Sequence, residues 1–342
     1  MLFGRLRLSF FLLLALTVHA SAQSVSAQSI AQPPIAGESN SNPTIEPEFL
    51  FPAAYFSEGL EILHAREAGR PYWAATEGEA HASVGQESIL LNNDILAFYG
   101  HPSSRNMGIL GRFTKEELNE KLESLAAEYQ AAGGRNIQKA FYIIFGTVWP
   151  GGEIGIIQES LLKEYIEFAL ENDILIFIDH QIGRYTPEDS LRRMLPWLKY
   201  PNVHLALDPE WRTTKPMQEI GTVSADEINQ VQRIMEDYII ENHLPGERLL
   251  VIHQFNNRMI SNREQVESNF SRVRLVHCAD GFGSPAVKRS SYANNAQAAN
   301  IPIKGFKLFF DFGIPGAGID SPLLSPREVF ELNPRPYVVM YQ

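Results

Sequence analysis

The sequence predicts a closed (β/α)8 barrel of the TIM type. Three observations carry that expectation. Eight short apolar runs, rich in β-branched and aromatic residues, recur from residue 94 onward. Segments with helical spacing and capping signals separate them. Polar side chains collect just after the runs, which is where such a barrel carries its chemistry.

The runs are Ile95–Tyr99, Lys139–Phe145, Ile174–Ile178, Val203–Leu207, Leu249–Ile252, Val273–Val276, Phe306–Phe310 and Tyr337–Tyr341. Their length and composition suit parallel strands buried on both faces. Between the first two, Thr114 and Glu117 form a capping box ahead of Leu118, Leu122, Leu125 and Tyr129 at helical spacing, and Gly133-Gly134 stops that helix. Thr186 before Pro187 is a cap followed by a first helical position. Ser224 with Glu227, and Ser325 with Glu328, are further capping boxes. The last run sits at Tyr337–Tyr341, so the expected barrel lacks its final helix. The amphipathic stretch Glu58–Glu67 is a candidate to cover that position. An open doubly wound sheet is the structural alternative, weakened by the absence of a glycine-rich phosphate loop after the first run.

The chain divides into three parts. Residues 1–22 read as a secretory signal peptide, with basic Arg5 and Arg7, an apolar run Phe10–Val18 and small Ala20-Ser21-Ala22 at a cleavage site. The expectation is export, secreted or periplasmic, with cleavage near Ala22. Residues 23–48 are rich in Ser, Ala, Gln, Pro and Asn and read as a flexible leader. Residues 49–342 are the barrel domain, and no stretch of the mature chain approaches a membrane span.

Among the 342 residues, 40 are acidic and 29 basic, a formal charge of −11. That balance argues against a general nucleic-acid binder, which needs clustered Lys and Arg. One cysteine, Cys278, excludes an intramolecular disulfide and a cysteine zinc site. Its expected role is a buried, inert thiol. There is no GxSxG elbow and no Walker loop. Gly108, Gly111 and Gly146 are expected to serve loop geometry. Arg105, Arg258 and Lys288 follow runs and would either orient an anion or lie in solvent.

Seven of the eight runs end in polar groups: Tyr99-Gly100-His101, Asp179-His180-Gln181, Asp208-Pro209-Glu210-Trp211, His253-Gln254, Asp280, Asp311 and Tyr341-Gln342. If the strands close, these groups share one mouth. Asp208 and Glu210 are two apart, with Trp211 as a flat apolar neighbour. Apolar surroundings raise a carboxyl pKa, as a general acid near neutrality requires. An aromatic face beside carboxyls also suits a sugar ring. The competing reading is that Asp208 only caps a helix and Glu210 pairs with Arg212. His101, His180 and His253 could move protons, but no HxH or HExxH pattern marks a metal site.

The motifs YGHP, LDPEW, HQF, DGFG and YVVMYQ resemble those of a group of secreted bacterial proteins, over roughly residues 94–342. That resemblance implies an exported (β/α)8 domain and transfers no reaction. The layout is similar, more broadly, to barrel glycoside hydrolases, which place an acid Glu after strand four and a carboxylate nucleophile after strand seven. The resemblance implies Glu210 for the first and Asp311 for the second. The chain departs from that pattern in having Asp208-Pro209-Glu210 instead of Asn-Glu, and Asp instead of Glu after strand seven.

The expected function is therefore a hydrolase acting on glycosidic bonds of an extracellular or envelope polysaccharide, without a cofactor. Glu210 would protonate the leaving oxygen, and Asp311 or Asp208 would be nucleophile or base. His101, Asp179, His180, Gln181, Trp211, His253, Gln254 and Asp280 would bind a saccharide or other small polar substrate. One alternative is a phosphodiester hydrolase, with His101 and His180 as acid and base and a divalent cation on Asp208 and Glu210. Another is a non-catalytic saccharide-binding protein. The sequence leaves the oligomeric state open.

Overall fold

The structure, a computed structural model, describes Ile89, Leu90 and residues 93–342. The expected signal peptide, leader and Glu58–Glu67 helix lie outside the described residues. The barrel strands are β1 (Ile95–Gly100), β2 (Gln138–Val148), β3 (Leu175–Gln181), β4 (Val203–Asp208), β5 (Arg248–Gln254), β6 (Val273–Ala279), β7 (Lys304–Leu308) and β8 (Val338–Tyr341). All eight expected runs are strands. Each is parallel to its neighbours, and β1 bonds to both β2 and β8. The sheet is therefore a closed ring, and the open doubly wound alternative is excluded. The Phe306–Phe310 run is displaced: β7 ends at Leu308, and the Phe309 amide leaves the ladder to donate to Asp320 Oδ2 at 2.9 Å.

Helices pack outside the ring. They are α1 (Lys115–Ala131), α2 (Glu159–Glu171), α3 (Pro187–Met194), α4 (Ala225–Glu241), α5 (Pro285–Ala296) and α6 (Pro326–Phe330). The capping boxes at Thr114, Ser224 and Ser325 form, and Thr186 makes a fourth with Asp189. The start of α2 has no side-chain cap, and α5 starts on Ser284-Pro285 without one. Among the described residues no helix follows β8, and none is long and apolar enough to cross a membrane.

Alternation along each strand separates two cores. Ile95, Ala97, Tyr99, Tyr142, Leu175, Phe177, Val251, Cys278 and Met340 fill the barrel interior. Leu96, Phe98, Phe141, Ile143, Ile176, Ile178 and Leu205 face outward onto the helices. Ile89 and Leu90 join the interior set, and the Ile89 amide donates to Glu247 Oε1 at 2.9 Å. A buried ion pair, Arg274 Nε to Glu247 Oε2 at 2.7 Å, lies beside them. At the N-terminal rim Asp94, 2% exposed, pairs with Arg135 at 2.8 Å and with Arg335, the residues leading into β2 and β8.

Phe177 is completely buried and stacked on Tyr142, with ring centroids 5.1 Å apart. Truncating such a ring forfeits its transfer energy and leaves a cavity. We expect Phe177→Ala to lower the unfolding free energy by about 3–5 kcal/mol, read from the urea midpoint.

Candidate active site

The inward alternation on the strands brings one set of polar groups together. At the C-terminal end of the interior lie Tyr99 (β1), Tyr142 (β2), Asp179 (β3), Asp208 (β4), His253 (β5), Cys278 (β6) and Lys307 (β7), with Asp280 just beyond β6. Each is at most 6% exposed. Glu210 follows on a short 3-10 turn, Pro209–Trp211, and is half-buried. One carboxyl oxygen each from Asp208, Glu210 and Asp280 lie within 4.8 Å of one another.

Asp208 does two things at once. Its Oδ1 accepts the Glu210 amide at 3.3 Å, capping the 3-10 turn, and its carboxyl joins the cluster. The capping reading is thus realised, and the same carboxyl stands beside Glu210 and Asp280. Arg212 is not the partner of Glu210; it binds Glu227 at 2.7 Å.

A deeper hydrogen-bonded chain supports the cluster from below. Tyr99 donates its hydroxyl to Asp179 Oδ2 at 3.0 Å. His253 Nε2 lies 2.7 Å from the Tyr142 hydroxyl and 3.8 Å from Asp179 Oδ2, and His253 Nδ1 is 3.3 Å from Asp280 Oδ2. Burial opposes charge on His253. Hydrogen bonds to Asp280 and Cys278 and the charge of Asp179 outweigh it, and hold the imidazole well above its ordinary pKa. Burial lifts the Asp179 carboxyl above its usual range, against the pull of His253 and Lys307. Burial also pushes Asp208 up to about 7, and the carboxylates of Asp179 and Asp280 add to it. Glu210 is held well above the carboxylate range, by burial first and then by Asp208 and Asp280. The arrangement thus favours a proton on Glu210, beside the Asp280 carboxyl that His253 Nδ1 contacts. The same three carboxyls offer only hard oxygen donors, the set that suits Mg²⁺, Ca²⁺ or Mn²⁺.

Several expected site residues stand elsewhere. His180 has the outward parity of Ile176 and Ile178 and packs 6.0 Å from the Phe145 ring. Its Nδ1–H donates to the Gln181 carbonyl at 2.8 Å. Gly146 makes room for it, since a Cβ there would sit 2.9 Å from the ring. The His101–His180 acid/base pair is therefore not assembled. His101 is half-buried in the loop after β1, where its Nδ1 accepts the Ser103 amide at 3.1 Å. Gln254 also faces the helices, accepting from Arg263 at 3.1 Å and bonding His277 at 2.7 Å. Two adjacent strand residues cannot both point into a barrel, so only one of each of the pairs Asp179-His180 and His253-Gln254 can. Gln181 has the inward parity but is engaged with the Val148 amide at 2.8 Å. Asp311 is exposed, accepts the Gly313 amide at 2.8 Å in a local turn, and is not in the carboxyl cluster. It lies three residues beyond the end of β7, on chain that has left the ladder. Trp211 is half-buried on the rim, with its carbonyl accepting the Gly183 amide.

Tyr142 and Lys307 were not expected. Both sit inside apolar runs, where a polar side chain reads as incidental. Their even spacing with inward-facing neighbours is the signal that marks them. On the rim between the β3 and β4 loops is a groove of about 510 Å³, lined by Arg184, Tyr185, Arg212, Thr213, Glu219 and Gly221 among others. The Gly221 amide donates to the Glu210 carbonyl at 2.7 Å, so the groove borders the cluster without covering it.

No protein-family model matches the chain. No curated protein matches it. Among solved structures, a chitinase from Chromobacterium violaceum ATCC 12472 is 8% identical over 63% of this chain and 68% of that one, with a TM-score of 0.38. A chitinase from Ipomoea carnea is 12% identical over 72% and 93%, with a TM-score of 0.41. Oxaloacetate acetylhydrolase bound to oxalate is 12% identical over 66% and 79%, with a TM-score of 0.40. Likeness at this level assigns no chemistry to the chain.

His180 provides a test of placement. Burial lowers its pKa from 6.5 to about 4. A depressed histidine stabilises the fold above its unfolded pKa, and that contribution is lost as pH falls from about 6.5 through about 4. The amount is on the order of 3 kcal/mol. Wild type should lose stability across that window, and His180→Gln should lose less between the same pH values, as read by urea unfolding.

Proposed function

We propose that the protein is a hydrolase of glycosidic bonds, with Glu210 as the general acid. The observation that carries this reading is the cluster of Asp208, Glu210 and Asp280 at the barrel mouth, with oxygens within 4.8 Å. A glycosidase needs one carboxyl that keeps its proton and another that carries charge. Glu210 meets the first need through its raised pKa and is the member of the cluster that reaches the rim. Asp280, in contact with His253, takes the role that the resemblance to glycoside hydrolases implied for Asp311. Asp208 holds the turn that carries Glu210.

In this reading Glu210 donates its proton to the leaving oxygen as the glycosidic bond breaks. Asp280 attacks the anomeric carbon from the other face. Water then releases the sugar with Glu210 acting as base. The close spacing favours this two-step course. A retaining pair stands about 5–5.5 Å apart, whereas an inverting pair needs about 6.5–9.5 Å to admit a water. Trp211 supplies an apolar face beside the acid, and exposed Trp149 and Phe282 lie on the loops after β2 and β6. With the basic, apolar, small-residue start of the sequence, the reading extends to an exported enzyme acting on extracellular or envelope polysaccharide.

A panel of polysaccharides and aryl glycosides tests it. Glu210→Gln should lower kcat by about 10²–10⁴-fold on natural linkages, and much less on glycosides whose leaving group needs no proton. Equal turnover by both proteins would end the assignment. The first-formed anomer, read by proton NMR, should keep the substrate's configuration.

The same cluster favours one second reading, a phosphodiester hydrolase in which Asp208, Glu210 and Asp280 hold a divalent cation. The cation would supply Lewis acidity at a phosphoryl oxygen. His253 and Lys307 already place positive charge beside those carboxyls, which favours the first reading. Activity on bis(4-nitrophenyl) phosphate that a chelator abolishes, and added Mg²⁺ or Mn²⁺ restores, would reverse the order.

A further inference from the structure

Three buried lysines stand on or beside β7, and they are treated differently. Lys288 donates to the carbonyls of Gly281 and Lys307 and lies 3.2 Å from Asp320 Oδ2. Lys304 donates to the carbonyls of Asn295 and Ala298, each at 2.8 Å, and lies 3.3 Å from His277 Nδ1. Both ammonium groups are thus surrounded by acceptors, as burial of a charge demands. Lys307 is 4% exposed and has the inward parity of its β8 partner Met340. Its Nζ rests 3.6 Å from the centroid of the Tyr99 ring and 5.2 Å from that of Phe309. Among the described residues no hydrogen-bond acceptor and no carboxylate within 4 Å meets that nitrogen.

A cation–π contact covers one face of an ammonium and leaves N–H groups pointing away from the ring. Those of Lys307 have only the mouth to point into. The cluster feels this charge, since Lys307 pulls down the carboxyls of Asp179, Asp208 and Glu210. Yet none of them contacts it. A lysine serving only as counter-ion would be drawn into contact, as Lys288 is with Asp320. A neutral hydroxyl returns little of the hydration that a buried ammonium gives up, whereas an anion returns a charge-assisted hydrogen bond.

We propose that Lys307 receives a carboxylate of the substrate, so that the sugar held at the mouth is a uronic acid. The inference rests on the glycosidase reading and narrows its substrate class. It also gives the substrate a direction. Glu210, on the turn after β4, borders the groove between the β3 and β4 loops, so the leaving group lies on that side. Lys307 on β7 is across the ring, so the acidic sugar is the glycone.

The test is binding of D-glucuronate and D-galacturonate against D-glucose and D-galactose, by calorimetry at pH 7, to wild type, Glu210→Gln, Lys307→Met and Lys307→Arg. At least one uronate should bind wild type and Glu210→Gln at least tenfold more tightly than its neutral counterpart. Lys307→Met should remove the preference and Lys307→Arg should keep part of it. Wild type with no preference, or Lys307→Met that keeps it, overturns the inference. If Lys307→Met does not fold, the wild-type comparison and Lys307→Arg decide. Cleavage of neutral glycosides that depends on Glu210, with no uronate preference, sinks the inference and leaves the hydrolase reading. A uronate preference that depends on Lys307 in a protein that cleaves no glycoside does the reverse.

Discussion

Closure of the ring is the constraint on which the rest of the molecule depends. Because β1 bonds to β2 on one side and β8 on the other, every strand has a fixed inside. Inward positions at the C-terminal ends then converge on a few ångströms of shared space. Carboxyls from β3, β4 and the loop after β6 meet there although they are far apart in sequence. The raised pKa values of Asp179, Asp208 and Glu210 follow from that confinement, since water that would solvate each charge has been replaced by protein.

The interior below the cluster explains why such a site can be tolerated. Buried charge is costly unless it is paired and hydrogen-bonded. His253 bridges the phenol of Tyr142 and the carboxylates of Asp179 and Asp280. Lys288 ties the Gly281 carbonyl, the end of β7 and Asp320 into one knot, and Asp320 in turn accepts the Gly283 and Phe309 amides. The loop that presents Asp280 and the strand that presents Lys307 are therefore held by the same buried pair.

The strands and capping boxes were legible because they are local. An apolar run of five β-branched and aromatic residues, or a Ser three before a Glu, declares itself without its neighbours. The mouth was half legible. Asp179, Asp208, Glu210, His253 and Asp280 stand just after their apolar runs and do gather there. Parity decided the rest. His180 and Gln254 are one residue away from inward positions and so face the helices. Asp311 looked like a strand-end residue only because Phe309 and Phe310 extend the apolar run beyond the point where the ladder ends. Tyr142 and Lys307 were hidden by the opposite effect, being polar residues within strands, whose direction only the register reveals.

The Asp94 clamp has a bearing on how the molecule must assemble. One buried carboxylate binds Arg135 and Arg335, and the second of these lies 241 residues away along the chain. The first strand cannot find both of its neighbours until β8 is present, so a growing chain gains this seam after the other strands. Contacts this remote in sequence make for slow acquisition of the native state. Until Arg335 arrives, the edges of β1 and β7 stay open to pairing with other chains, which marks the stage at which the protein is most exposed to aggregation.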